Sequence, residues 1–436
     1  MIYGLRDLMP GSEHEVKVIS RRFDLPNSAS IDTYLANEGY QAFLKARKMT
    51  QDEIIEEVKK SGLRGRGGAG FSTGMKWSFV PKNIQKPRYI VCNADESEPG
   101  TCKDRLLMQF DPHEIIEGMM IAGLAIDAHK GFIYIRGEYR FLIEIVEKAI
   151  DEAYARGWLG KNIQGTGFDF DCVAHSGAGA YECGEESALL ESLEGKRGIP
   201  RIRPPFPAVA GLYQSPTILN NVETFATVPA IILKGGDWYH ALGTPKNGGT
   251  KLTNISGHVK RPGCYELPLG ISLRKAIYEV AGGMEGDKKI KAIIPGGSST
   301  PMLVPDQLDT PMDFDSMAKQ GTFLGSGGLV VMNEDTCMVE VALRVMRFYS
   351  HESCGWCIPC REGTTWLKKM LTRFHAGGGE ERDINLINEL AQAMLGRTFC
   401  PLGDAAAMPM ISAVKHFRAD FEAHLNGNKC PYEGRQ

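Results

Sequence analysis

The chain has 436 residues, 43% of them hydrophobic and 24% charged, and its 50 basic and 53 acidic side chains leave a formal charge of −3. That composition fits an ordinary globular protein of two to four domains at roughly 150 residues each. It offers none of the basic excess of a nucleic-acid partner, so no nucleic acid is expected. The longest apolar run, Gly118 to Ile126, is far below the roughly 20 residues of a membrane span. No direct membrane insertion is expected, and any membrane association would go through other subunits. The first residues lack the apolar core of a signal peptide. Eleven cysteines in a chain too large to need disulfide staples read as metal or redox chemistry in a reducing compartment.

Residues 1–48 carry few signals and are expected to wrap the outside of the next domain. Thr50 to Glu53 reads as a capping box, with Ile54, Ile55 and Val58 on one helix face and Gly62 at the C′ position. Five glycines then lie between Gly62 and Gly70. Gly65, Gly67 and Gly70 satisfy G-x-G-x-x-G, but a helix feeds the loop where a dinucleotide fingerprint requires a strand. Arg64, Arg66 and Lys76 add positive charge, and Phe71, Trp77 and Phe79 add aromatic surface. An anion joined to an aromatic ring is the natural tenant, and the competing reading is a flexible turn with chance basic residues.

Strands are expected at 88–93, 131–136 and 168–173. They alternate with helices opening at Asp111 and Pro112, running through Leu142 to Ala153, and spanning Cys183 to Leu193. This alternation predicts a parallel, layered α/β sheet. Lys196 to Pro216 reads as an ordered loop or lid, and Asn220 and Asn221 open a further helix. Composition shifts at Gly243 to Gly249. Beyond it, strands at 251–256 and 290–294 and a helix from Leu273 to Ala281 predict a small ubiquitin-like α+β (β-grasp) domain. Four helical segments starting near Asp335, Arg361, Asp383 and Asp404 predict a C-terminal four-helix bundle. The expected domains are 1–48, 49–242, 243–333 and 334–436.

Cys354, Cys357 and Cys360, spaced by two residues each, with Cys400 remote and prolines beside two of them, are close to the iron–sulfur pattern. A four-thiolate zinc site is the alternative. The other seven cysteines read as small buried apolar residues. Asn93, Asp95, Glu96 and Glu98 follow the first strand, and Tyr181, Gly184, Glu185 and Glu186 follow the third. Strand ends are where α/β sheets place ligands, although carboxylates also complement helix dipoles. Asn220 and Asn221 could offer amides to a phosphate or simply cap their helix. The ten histidines form no metal-binding or catalytic spacing. A phosphate-and-ring pocket beside an iron–sulfur cluster implies electron transfer.

In order and spacing these motifs resemble the NADH-binding, FMN-carrying subunits of respiratory complex I, over nearly the whole chain. The resemblance implies a Rossmann-like FMN-binding domain, a ubiquitin-like domain and a helical bundle carrying one [4Fe–4S] cluster. It implies FMN against Gly65, Arg66, Gly67, Gly68 and Lys76, with Asn93, Asp95, Glu96, Tyr181, Gly184, Glu185, Leu219, Asn220 and Asn221 completing the pocket. NADH would place its nicotinamide near Glu186, the catalytic candidate, and its adenine between Phe71, Phe79 and Phe206. Glu98 and Lys76 would meet its ribose and phosphate oxygens. Cys354, Cys357, Cys360 and Cys400 would be the cluster ligands. Where Cys102 stands the family usually has a phenylalanine, and no ligand depends on it. Implied partners are a thioredoxin-like [2Fe–2S] subunit and further iron–sulfur subunits, in a complex peripheral to the inner, cytoplasmic face of the membrane. Two rivals share some features. One is a diaphorase subunit of an NAD-linked hydrogenase or formate dehydrogenase, disfavoured because no ferredoxin-like cysteine run is present. The other is a non-catalytic scaffold with a structural cluster.

Overall fold

The computed structural model describes residues 5–428 and 430–433. It divides into two units. One runs to Ser97 and takes in Thr101–Thr253 and Cys264–Ile271; the other holds Glu98–Gly100, Asn254–Gly263 and the chain from Ser272 onward.

In the first unit, helix α1 (Gln51–Lys60) has the expected capping box between Thr50 and Glu53, and Ile54, Ile55 and Val58 are buried. The glycine loop leads into a short helix, α2 (Thr73–Ser78). Strand β1 (Tyr89–Ala94) follows, then α3 (Lys103–Phe110), α4 (Pro112–Ile126), β2 (Lys130–Ile135), α5 (Arg140–Ala155), β3 (Asp171–Ser176), α6 (Glu186–Leu193), β4 (Thr217–Asn221) and α7 (Val222–Lys234). The four strands form a parallel sheet in the order β3-β2-β1-β4. The chain winds outward from β1 through β2 to β3, then returns to the far side of β1 for β4. The switch point of this sheet therefore lies between β1 and β4, where Cys92 pairs with Asn220 and Asn93 with Asn221.

Several elements depart from the sequence reading. Strand β4 was not expected, because Thr217-Ile-Leu-Asn-Asn221 has two apolar residues and reads as a helix start. The third strand begins three residues later than expected, since Phe168 and Phe170 pack into the core ahead of the ladder. The helix expected from Cys183 is split: Tyr181–Gly184 is a 3₁₀ turn, and Glu185, in extended conformation, caps α6. Asp111 does not cap α4 with its side chain. Its carboxylate accepts from Arg22 Nε at 2.8 Å, and Glu114 pairs with the same guanidinium. Residues near the N-terminus also enter the core: Tyr34, Tyr40 and Phe43 are fully buried. The Glu117 carboxylate accepts the backbone N–H groups of Tyr40 and Phe43, each at 2.8 Å.

Helices α4 and α7 cross at Gly118, where an added Cβ would lie 2.0 Å from the Phe225 carbonyl oxygen. Gly118→Ala should therefore destabilise the chain by about 3 kcal/mol, overriding the gain in helix propensity. Thermal unfolding by calorimetry checks this; an unchanged or raised midpoint would contradict the close crossing.

The other four strands, β5 (Thr250–Gly257), β6 (Gly263–Pro268), β7 (Ile290–Ile294) and β8 (Gly328–Asn333), make a mixed sheet in the order β6-β5-β8-β7. In the second unit, Asn254–Gly257 pairs parallel with β8, and β8 pairs antiparallel with β7. The helix expected from Leu273 is one α-turn continued by a π-turn, Ala276–Val280. Four helices packed on one another close the unit: α8 (Met338–Glu352), α9 (Ile358–His375), α10 (Glu381–Met394) and α11 (Pro401–His416). Each presents an apolar stripe inward, such as Leu367, Leu371 and Phe374 of α9. Among the described residues no helix is long and apolar enough to cross a membrane.

Candidate functional site

The ends of β1 and β4 are furnished with amides. Asn93 Nδ2 donates to the Gly184 carbonyl at 2.8 Å, which draws the Tyr181–Glu186 segment to the tip of β1. Asn220 is nearly buried, and its Oδ1 accepts from Trp77 Nε1 at 2.9 Å. This bond ties α2, and with it the glycine loop, to β4. The loop is held as a hairpin: Gly65 N–H donates to Phe71 O at 2.7 Å and Thr73 N–H to Leu63 O at 3.0 Å. At Gly67 a Cβ would come within 3.1 Å of Asn221 Cβ. At Gly68, with φ +141°, it would meet nothing within 4 Å. The loop is thus a bare backbone shelf with open space over Gly68.

Lys76, Glu185 and Glu186 form a charged wall of this site. Lys76 Nζ donates to Glu186 Oε2 at 3.1 Å and to the Leu219 carbonyl at 2.8 Å. Arg203, from the 196–216 loop, donates to Glu186 Oε1 at 2.9 Å and lies 3.5 Å from Glu185. Burial opposes ionisation of Glu186, but Lys76 and then Arg203 outweigh it and hold the carboxyl below the usual range. Glu185 caps α6, accepting from Ser187 N and Ala188 N at 2.9 Å each. A side chain at Gly184 would approach Asp95 Oδ2 to 3.3 Å, so Asp95 and the Tyr181–Gly184 turn stand close together. Phe71, Phe79 and Phe206 are 51%, 52% and 57% exposed. The rings of Phe71 and Phe79 lie 6.1 Å apart. Half-exposed phenylalanines in one unit with a charged cleft are surfaces on which an aromatic ligand can stack.

Three sequence candidates stand in other roles. The Arg66 guanidinium is buried and donates to the carbonyls of Arg64, Gly248 and Thr250, so it braces the loop from behind. Its backbone N–H donates to Thr224 Oγ1 at 2.9 Å. The Glu96 carboxylate accepts from Asp104 N at 2.7 Å and Arg105 N at 3.0 Å, at the start of α3. Burial, and then the neighbouring Asp104, push it up to about 7. Glu98 belongs to the second unit, where its carboxylate accepts from Ser299 N at 2.8 Å and Ser298 Oγ at 3.3 Å.

Sequence reasoning missed a buried charge cluster under the loop. Lys103 Nζ lies 2.7 Å from Asp104, 2.9 Å from Glu223 and 3.0 Å from Asn221 Oδ1. Lys251 Nζ donates to Arg66 O at 3.1 Å and lies 3.4 Å from Glu223. Lys103, Asp104, Glu223 and Lys251 are almost fully buried. Burial lowers Lys251 to about 8 despite Glu223. The members come from distant parts of the chain, so no spacing in the sequence announces them.

In the bundle, Cys357 occupies the N-cap position of α9, Cys360 lies in its first turn, and Cys400 occupies the N-cap position of α11. Cys354 stands in the connection from α8. Phe399 N–H points at Cys357 Sγ from 3.5 Å, so the start of α11 meets the start of α9. Cys360 and Cys400 are buried and Cys354 and Cys357 half-buried. Helix N-termini favour thiolates. Four cysteines at two helix starts are a donor set that fits an iron–sulfur cluster, and the bare glycine shelf beside Lys76 at the sheet's switch point suits a ring-bearing phosphate ester.

Three family models match the chain: the Nuo51 FMN-binding domain over residues 58–230, the SLBB domain over 252–303, and the NADH-ubiquinone oxidoreductase-F iron-sulfur binding region over 340–424. Similar proteins include an F subunit of NADH-quinone oxidoreductase of Rhizobium meliloti, 53% identical over 95% of this chain and 99% of that one. The corresponding F subunit of Mycobacterium bovis is 52% identical over 96% and 95%. Among solved structures, a chain of NAD+-reducing [NiFe]-hydrogenase in the H2-reduced state aligns with a TM-score of 0.82. It is 36% identical, over 96% of this chain and 69% of that one.

Proposed function

This chain belongs to the family of F subunits of NADH-quinone oxidoreductase, and on that premise we propose which of its residues do the family's work. It is the NADH dehydrogenase subunit of a complex I-type enzyme. Bound FMN and a [4Fe–4S] cluster supply the chemistry, hydride acceptance from NADH and onward transfer of single electrons towards quinone.

The single observation that carries the residue assignment is the convergence of the glycine shelf, Lys76, Glu186 and the amides of Asn93, Asn220 and Asn221 at the switch point of the parallel sheet. In this reading Gly65, Gly67 and Gly68 let the flavin approach backbone. Arg66 holds the loop rigid, and Lys76 supplies positive charge. Asn93, Asp95, Tyr181, Gly184, Leu219, Asn220 and Asn221 edge the pocket, and Glu96 and Glu185 fix its walls by capping α3 and α6. Phe71, Phe79 and Phe206 stack the dinucleotide. Glu186 faces the nicotinamide. Held ionised between Lys76 and Arg203, it orients the ring and cannot donate a proton at neutral pH. Cys354, Cys357, Cys360 and Cys400 hold the cluster.

Glu186→Gln should keep its flavin yet lose about tenfold in kcat/KM for NADH oxidation by a soluble acceptor, since a charge-assisted contact is replaced by a neutral one. Unchanged NADH kinetics would remove Glu186 from this role. We further place the chain beside a thioredoxin-like [2Fe–2S] subunit and other iron–sulfur subunits, peripheral on the inner face of the cell membrane. The hydrogenase-type diaphorase remains a second reading, supported by the shared fold at 36% identity. The relatives near 50% identity over almost their full length favour the quinone-linked assembly.

A further inference from the structure

Cys337, His424 and Cys430 come from three separate parts of the second unit. Cys337 caps α8, His424 follows the short helix Arg418–Glu422, and Cys430 lies beyond it. Their Sγ, Nε2 and Sγ atoms lie within 4.8 Å of one another. Cys337 and His424 are fully buried and Cys430 is half-buried. The two cysteines have no regular spacing to each other or to the cluster ligands, and sequence alone passes them as small apolar residues.

The surroundings select one histidine tautomer. His424 Nδ1 lies 2.6 Å from the Asp420 carbonyl oxygen, which can only accept, so Nδ1 carries the proton and Nε2 turns its lone pair towards the sulfurs. Cys337 Sγ stands 3.6 Å from Nε2. A tetrahedral ion about 2.3 Å from sulfur and about 2.0 Å from nitrogen sets such donors roughly 3.6 Å apart. Asp420 is itself held: its carboxylate accepts from Met338 N at 2.9 Å, Lys291 Nζ at 2.7 Å and Tyr432 OH at 3.1 Å. Lys291 also lies 4.1 Å from the centroid of the Tyr432 ring. An outer frame that fixes a ligand's ring through a backbone carbonyl is the usual support of a histidine metal ligand.

We propose that Cys337, His424 and Cys430 bind a structural zinc ion, separate from the iron–sulfur cysteines, that clips the C-terminal segment to the start of α8. Two thiolates and a neutral imidazole suit zinc among the divalent metals, and the two thiolate charges neutralise the ion, so the site is neutral when buried. Metal binding releases the thiol protons to solvent. Among the described residues no further cysteine, histidine or carboxylate joins the group.

The test is elemental analysis of the purified full chain after dialysis against EDTA, with iron and zinc measured together. Wild type should retain one zinc per chain. Cys430→Ser and Cys337→Ser should each lose it with iron and flavin unchanged; serine preserves the helix cap at 337, where Cys337 Sγ now accepts from Glu340 N at 3.4 Å. Zinc X-ray absorption should show mixed sulfur and nitrogen shells near about 2.3 and 2.0 Å. Wild type without zinc, zinc retained in both variants, or a Cys337–Cys430 disulfide found by mass mapping under non-reducing conditions would each overturn the proposal. Misfolded variants are recognised by their loss of iron, and the wild-type absorption spectrum then decides alone.

Discussion

Cys357→Ala should abolish the [4Fe–4S] cluster while leaving the flavin in place. Cys357 stands at the N-cap position of α9 and accepts the Phe399 N–H, so it joins the starts of α9 and α11. Its loss opens the coordination set and removes the bridge between two helix ends in one step. The residues proposed to hold the flavin lie in the first unit and Cys357 in the second. The expected result is loss of iron and of the low-temperature EPR signal of the reduced protein, with FMN content near that of wild type. NADH oxidation by an acceptor that takes electrons from flavin should survive, while electron delivery to quinone in the assembled complex should fall to background. Retained iron and an unaltered EPR signal would take Cys357 out of the ligand set.

The second large effect is expected under the glycine loop. Glu223 accepts from Leu252 N at 2.8 Å and faces both Lys103 and Lys251. Burial opposes its ionisation, but Lys103, Lys251 and Arg66 hold it below the usual carboxylate range. Glu223→Gln removes the carboxylate that three buried cations, Lys103, Lys251 and Arg66, face. Breaking a buried ion network this way costs about 3–5 kcal/mol. Because the folded carboxyl titrates below its unfolded value of about 4.3, its stabilisation is complete above that value and is lost as pH falls through the folded one. The gap between wild type and Glu223→Gln in urea unfolding should therefore be widest near neutrality and close on acidification. Adding Lys251→Met should restore part of the loss, since it removes one unbalanced cation. A Glu223→Gln chain as stable as wild type at neutral pH would show that the network does not hold the loop.

Much of this was legible in the sequence wherever a local pattern carried the physics. Thr50 and Glu53 announced a helix N-terminus, and the apolar run around Ile290–Ile294 announced a strand. The helix ahead of Gly62 ruled out an ordinary Rossmann fingerprint, and among the described residues no strand precedes that loop. The cysteine spacing pointed to a cluster before any geometry was known. What stayed hidden was assembled from distance. Strand β4 has too few apolar residues to stand out, yet its pairing with β1 creates the switch point. Arg66 reads as a phosphate ligand because it is basic and sits among glycines. In the fold its guanidinium is turned away, onto the carbonyls of Gly248 and Thr250. Lys103, Glu223 and Lys251, like Cys337, His424 and Cys430, meet only because separate elements pack together.

The account is tested most directly by the absorbance and low-temperature EPR spectra of the purified chain before and after NADH. It predicts a flavin band that bleaches on addition of NADH, together with an EPR signal from a reduced [4Fe–4S] cluster. A colourless protein without flavin or iron, or a flavin that NADH leaves oxidised, would contradict it.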